Sequence, residues 1–183
     1  MMSLCILTIG HSSHPLNTFL WPLQKHEIEA LVDVRRYPVS RRYAHFSREA
    51  LSASLEEEGI EYHWLEPLGG NRKRAKDAPP SLNRGIEDEA FRNYADHMAT
   101  DEFRQAATKL LEIARECRTV IMCAENDYRR CHRQLLSDYL LANDFSVHHI
   151  LPDGDVKPHV ATPKARMMDG LVTYPGQPTL FDM

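Results

Sequence analysis

Short apolar runs alternate with segments of helical period along the first 151 residues, and this alternation restricts the chain more than any other feature. Cys5 to Ile9, CILTI, is apolar and β-branched and stops at Gly10, as a buried strand does. Leu16 to His26 then carries apolar residues at 16, 19, 20 and 23, a helical spacing. Ile28 to Val34, IEALVDV, predicts a second strand that ends at Arg35 and Arg36. Ser47 caps a second helix through Leu51 to Leu55 that closes near Gly59, and Ile60 to Leu65 alternates like a third strand. Strand, helix, strand, helix, strand is the order that builds parallel pairs, because parallel strands need a long crossover between them.

The same pattern resumes after a long interruption. Gly69 to Gly85, GGNRKRAKDAPPSLNRG, is too polar for a core and long for a connection, a character common in functional loops. Phe91 to Met98 and Glu102 to Glu116 read as helices, Thr119 to Cys123 as the most apolar strand after them, Cys131 to Asn143 as a helix and Ser146 to Leu151 as a final strand. The expected fold is therefore α/β and three-layered, with a mainly parallel sheet, helices on both faces and a flexible C-terminal tail. Residues 1–151 form the domain, and residues 152–183 form an extended, proline-containing tail that acts as a spacer.

Composition narrows the class. With 43% hydrophobic and 26% charged residues in 183, the chain has enough apolar material for one unaided core. No apolar run approaches the roughly 18 to 20 residues of a membrane span, so no membrane partner is expected. The start, MMSLCILTIGHSS, lacks the basic and long apolar regions of a secretory signal, so a cytoplasmic location is expected. Cys5, Cys117, Cys123 and Cys131 are then expected as thiols. Cys123, Cys131 and His132 supply three candidate ligands where a structural zinc site takes four, and neither a metal nor another cofactor is assigned. The net charge of −4 argues against indiscriminate coating of nucleic acid. Arg35, Arg36, Arg41 and Arg42, then Arg72, Lys73, Arg74 and Lys76, then Arg129, Arg130 and Arg133 nevertheless form three basic clusters, which are either one anion-attracting face or separate solvated patches.

In open parallel sheets, ligands bind outside the carboxyl ends of the strands. His11 and Ser12 follow the first strand, Asp33 and Arg35 close the second, and Cys123, Glu125 and Asp127 follow the fourth. Cys131, His132 and Arg133 enter the next helix at its anion-favouring end. Asp33 and Glu125 are the candidate catalytic carboxylates, since two carboxylates in one cleft divide acid from base or nucleophile work. Cys123 and His132 are candidate supporting catalytic groups, and His11, Ser12, Arg35, Cys131 and Arg133 are candidate substrate-binding groups for a phosphate-bearing ligand. The spacing from Cys123 to Arg129 also matches the loop of cysteine-dependent phosphatases, although this loop has no glycine.

Six ordered motifs carry a resemblance: TIGHS (Thr8 to Ser12), LVDVRRYPVSRR (Leu31 to Arg42), GIEYHWLEPLGG (Gly59 to Gly70), FRNYADHM (Phe91 to Met98), CAENDYRRCHR (Cys123 to Arg133) and VHHI (Val147 to Ile150). Together they resemble the Domain of Unknown Function 488 family, whose pattern at the fifth motif matches Cys123, Ala124, Glu125, Cys131, His132 and Arg133, with Tyr128 in place of its proline. At the other end, Gln177 to Phe181, QPTLF, resembles the pentapeptide with which bacterial proteins bind the DNA sliding clamp. Gln177 is its polar contact, and Leu180 and Phe181 are its apolar anchors. The expected function is an enzyme acting on a nucleotide or nucleic-acid component, in DNA repair or modification. The alternatives are a non-catalytic nucleotide or DNA binding module, and a cysteine-dependent phosphatase or sulfur-transfer enzyme.

Overall fold

The computed structural model describes residues 4–177. Strands β1 (Cys5–Gly10), β2 (Ala30–Asp33), β3 (Glu61–Trp64), β4 (Thr119–Cys123), β5 (Ser146–Ile150) and β6 (Val156–Pro158) form one sheet in the order β3-β2-β4-β1-β5-β6. The first five are parallel, and only β6 runs antiparallel, on β5. This is the mainly parallel three-layer α/β arrangement expected from the alternation of runs.

Two apolar layers explain why the central strands read as unbroken hydrophobic runs: each must bury both of its faces. Leu7, Ile9, Leu31, Val120 and Met122 point to one side and pack under α1 (Leu16–Lys25) and α2 (Arg48–Glu57), through Phe19, Leu23, Leu51 and Leu55. Ile6, Val32, Ile121 and Val147 point to the other. There they meet α3 (Glu89–His97), α4 (Asp101–Glu116) and α5 (Arg133–Ala142), through Tyr94, Phe103, Leu110, Leu136 and Leu140. Asp88 and Thr100 begin α3 and α4 by accepting a backbone N–H three residues on, the usual N-cap bond.

The chain leaves β2 for α2 on one face and β4 for α5 on the other, in opposite directions along the sheet. Such a reversal between neighbouring strands opens a crevice at their carboxyl ends. The strand order thus puts the loops after β2 and β4, with the start of α5, around one opening.

Two regions read as loop or spacer in the sequence are tied down. In the Gly69 to Gly85 stretch, Ser81 and Asn83 donate to Asp96 of α3 at 2.6 and 2.7 Å, and the buried Asn83 also accepts from the Tyr174 backbone at 2.9 Å. The segment from Pro152 to Gln177, expected as an extended spacer, packs on the domain instead. It supplies β6 and a hairpin of β7 (Arg166–Met168) and β8 (Leu171–Thr173), and Tyr174 is fully buried. Residues 178–183 lie outside the described residues, and with them the anchors Leu180 and Phe181 of the clamp-like pentapeptide. Among the described residues no helix is long and apolar enough to cross a membrane.

Buried polar groups hold this segment. Asp138 of α5 accepts from Tyr174 Oη at 2.7 Å, from the Thr162 backbone at 3.0 Å and from His159 Nε2 at 2.8 Å. His159 Nδ1 lies 2.9 Å from His149 Nε2, and His149 Nδ1 lies 2.7 Å from Thr8 Oγ1, which accepts from Arg133 Nη1 at 3.2 Å. One proton arrangement satisfies every link: Arg133 donates to Thr8, Thr8 to His149, His149 to His159, and His159 to Asp138. His149 is neutral in it, accepting at Nδ1 and donating from Nε2. Burial, then the neighbouring His159 and Arg133, lowers the His149 pKa to about 3, and burial followed by Arg35 among the charges lowers His11 to about 4.

These buried neutral imidazoles give stability a definite pH dependence. Unfolded histidines titrate near about 6.5, so below that pH the unfolded chain binds protons that the fold refuses, and stability falls as pH drops from about 6.5 toward 4. Differential scanning calorimetry is expected to show a melting temperature several degrees lower at about pH 5 than at about pH 7. Equal melting temperatures would contradict the neutral, buried placement of His11 and His149.

Candidate functional site

A cleft of about 500 Å³ opens at the carboxyl end of β4. Its floor is Cys123, Cys131 and His132; Phe91 and Tyr94 of α3 form a wall; Glu125, Arg130, Asn71 and Gly70 complete it. Local sequence explains the placement. The apolar β4 carries Cys123 to the rim, the loop turns through a short 3-10 helix at Tyr128–Arg130, and Cys131 and His132 precede the first residue of α5.

The floor groups converge tightly. Cys131 Sγ and Cys123 Sγ lie 3.6 and 4.0 Å from His132 Nδ1. His132 Nε2 donates to the Val34 carbonyl at 3.0 Å, which fixes the ring and, in the neutral imidazole, leaves the Nδ1 lone pair facing both sulfurs. Arg133 Nε donates to Cys131 Sγ at 3.4 Å. The two thiols titrate as a pair. Cys131 is held well below the ordinary thiol range because Cys123 donates to it, with the His132 ring and the Arg133 guanidinium beside it lowering it further. Cys123, which gives that hydrogen bond and is also desolvated, is pushed well above the range.

Gly70 comes close to this floor. A Cβ on Gly70 would stand 2.7 Å from His132 Nδ1, so only a residue without a side chain lets the loop reach the imidazole. At the other end of the loop, a Cβ on Gly10 would overlap the Glu125 carbonyl oxygen, so Gly10 permits the turn after β4 to lie across the end of β1. His11 and Ser12 donate their backbone N–H groups to the Cys123 and Ala124 carbonyls, both at 2.9 Å, which locks the two loops together.

The candidate residues read from the sequence therefore divide into two groups. Cys123, Glu125, Cys131 and His132 meet in the cleft. His11, Asp33, Arg35 and Arg133 do not line it; they are buried beside it and engaged with other protein groups. Asp33 is fully buried, with Arg35 Nη2 at 2.6 Å and Nε at 2.9 Å, the Tyr62 hydroxyl at 2.6 Å and the Arg35 backbone at 3.0 Å. Arg35 also donates to the Phe46 carbonyl at 2.7 Å. The pair Asp33–Arg35 ties β2 to the loops after it, and the two-carboxylate arrangement expected from the sequence does not form in the cleft. Arg133, 1% exposed, donates to Thr8, to the carbonyls of Glu125 and Asn126, and to Cys131. Its donors are spent on the protein rather than offered to a phosphate. Ser12, at φ 46°, acts through its backbone.

The basic clusters fare unevenly. Glu66 joins Arg36 of the first cluster to Arg72 of the second, at 3.5 and 3.1 Å. Arg129 is exposed and chelated by Asp127, so the arginine of the phosphatase-like spacing is engaged in solvent. Arg130 is the arginine that lines the cleft. Sequence reasoning missed Arg130 as a site residue, along with Asn71, Phe91 and Tyr94. The Gly-Gly pair at 69–70 and the FRNYADHM motif were the available signals for this wall.

The chain belongs to the family described as Domain of unknown function DUF488, whose model matches residues 15–140. The matched span includes the whole cleft floor and its α3 wall but neither β1 nor β5. No curated protein and no solved structure matches the chain.

Replacing Arg133 tests whether it is a structural hub. Arg133→Met is expected to destabilise the fold by about 3 to 5 kcal/mol, the scale for removing one member of a buried charged network. Chemical denaturation measures it. A loss under about 1 kcal/mol would mean that Arg133 is spare and available to a ligand.

Proposed function

We propose that the chain is an enzyme acting on a nucleotide or nucleic-acid component, with the cleft at the end of β4 as its active site. One observation carries the reading: an ionisable carboxylate, Glu125, and a guanidinium, Arg130, share an open cleft with the convergent Cys123, Cys131 and His132. Reactive groups gathered at a strand-order reversal are the usual form of a site in this fold class. The cleft's volume suits a nucleotide-sized ligand, and the half-buried Phe91, backed by the buried Tyr94, offers aromatic surface to a base. Arg130 then takes a phosphate, and Glu125 serves as the general base or acid at the reacting atom. Asp33 has no place in this chemistry, because its oxygens are already committed to Arg35 and Tyr62.

A second reading, sulfur transfer at one of the cysteines, is favoured by the approach of both sulfurs to a single imidazole nitrogen. Turnover that survives Cys123→Ser and Cys131→Ser with a nucleotide substrate removes it. The sliding-clamp tether rests on sequence alone. It adds a DNA-linked setting through a segment that begins at the exposed Gln177.

The test is a panel of nucleosides, nucleotides and short oligonucleotides, followed by calorimetry and by product analysis. Glu125→Gln is expected to abolish turnover while leaving ligand affinity within about threefold, and Arg130→Ala to weaken a phosphate-bearing ligand by about 1.5 to 3 kcal/mol. Absence of binding by any panel member at millimolar concentration, or full activity of Glu125→Gln, would overturn the reading.

A further inference from the structure

Three donor atoms suited to a thiophilic metal meet at the cleft floor. Sγ of Cys123, Sγ of Cys131 and a ring nitrogen of His132 all lie within 4.8 Å of one another. The two sulfurs stand 4.0 and 3.6 Å from Nδ1. Zinc bonds to sulfur and imidazole nitrogen at about 2.3 and 2.05 Å, so a tetrahedral site separates a sulfur from a nitrogen ligand by about 3.6 Å. The observed separations meet that value within a few tenths of an ångström.

The surroundings agree with a metal and not merely with a crowded corner. His132 gives its other ring N–H to the Val34 carbonyl at 3.0 Å, the outer contact that metal-bound histidines make to fix their tautomer. Arg133 supports Cys131 with an N–H···S bond at 3.4 Å, a contact that steadies a thiolate without competing for its remaining lone pairs. Gly70 has no side chain where one would press on Nδ1. All three groups also line the cleft, which Glu125 borders too, so a further ligand can approach them from that side.

We infer that Cys123, Cys131 and His132 bind a thiophilic divalent cation of the Zn²⁺ class in a three-ligand site with an open fourth position. Two thiolates neutralise the dication, and soft sulfur with imidazole selects zinc over magnesium or calcium. A missing fourth protein ligand, which counts against a structural zinc site, is what a catalytic one requires. This deepens the proposed function and rests on the cleft being the catalytic one: the open position takes a water or a substrate heteroatom.

The test is titration of the reduced full-length chain with Co²⁺ and then Zn²⁺, free of other ligands. Expected are one equivalent of Co²⁺ with a sulfur-to-cobalt charge-transfer band and the intense visible bands of a tetrahedral site, both removed by one equivalent of Zn²⁺. Cys123→Ser, Cys131→Ser and His132→Gln are each expected to weaken Co²⁺ by at least about a hundredfold. Gly70→Ala, which leaves all three ligands in place, is expected to weaken it by about tenfold or more. Cys5→Ser with Cys117→Ser should leave binding unchanged, and circular dichroism identifies any variant that fails to fold. Lack of the charge-transfer band in the unmodified chain, or undiminished binding by folded ligand variants, overturns the inference. Recovery of a Cys123–Cys131 disulfide that reforms in the presence of excess Zn²⁺ overturns it as well. Because binding is read without substrate, metal uptake with no nucleotide turnover would leave this site standing and defeat only the proposed function.

Discussion

The buried guanidinium of Arg133 is the constraint on which the site depends. A charge at 1% exposure is tolerable only when its donors are satisfied, and Arg133 satisfies them in three parts of the structure. It reaches Thr8 on β1, the Glu125 and Asn126 carbonyls in the loop after β4, and Cys131 at the entrance to α5. The loop is therefore pinned at the point where it must present Glu125 and Cys123 to solvent. Through Thr8, His149 and His159 the same network continues to Asp138 and Tyr174, so the C-terminal segment is held by the charge that shapes the cleft. Loop, sheet and terminal segment are parts of one buried polar assembly.

A second polar corner frames the opposite edge. Asp33 and Arg35 neutralise each other at the end of β2, and Arg35 fastens the Phe46 turn while Trp64 Nε1 donates to the Arg35 carbonyl at 2.9 Å. Val34, between them, offers its carbonyl to His132. The loop after β2 thus orients the imidazole without entering the cleft. The working chemistry is left to Cys123, Cys131, His132 and Glu125, and the two buried arginines act as scaffolding.

Much of this was legible in the sequence because parallel strands buried on both faces leave continuous apolar runs, and the residues that follow them are at the rim by construction. The five parallel strands and the four cleft residues from Cys123 to His132 follow from that rule. What the sequence could not reveal was the direction in which each charge points. Arg129, Arg130 and Arg133 differ by a few positions, yet one is chelated in solvent, one lines the cleft and one is buried, because Arg133 alone begins α5 and faces β1. The stretch from Pro152 to Gln177 misleads for a related reason. Its scarcity of apolar residues predicts a spacer, but it is anchored by Asp138, His159, Asn83 and Tyr174, and polar anchoring leaves no hydrophobic period to read. The α3 wall comes from a segment far along the chain from Cys123, Cys131 and His132, so only the fold joins Phe91 and Tyr94 to the floor.

The reactive floor of two sulfurs and one imidazole nitrogen, held by Arg133 and Val34, is the proposed chemical centre of this protein. Crystals grown in the presence of Zn²⁺ and measured on both sides of the zinc absorption edge test it directly. The expected result is one strong anomalous peak in the cleft, at about 2.3 Å from each sulfur and about 2.1 Å from His132 Nδ1, with the fourth position open to the cleft. A cleft floor without that peak, or a peak held by surface histidines and carboxylates while Cys123 and Cys131 remain unligated, would contradict it.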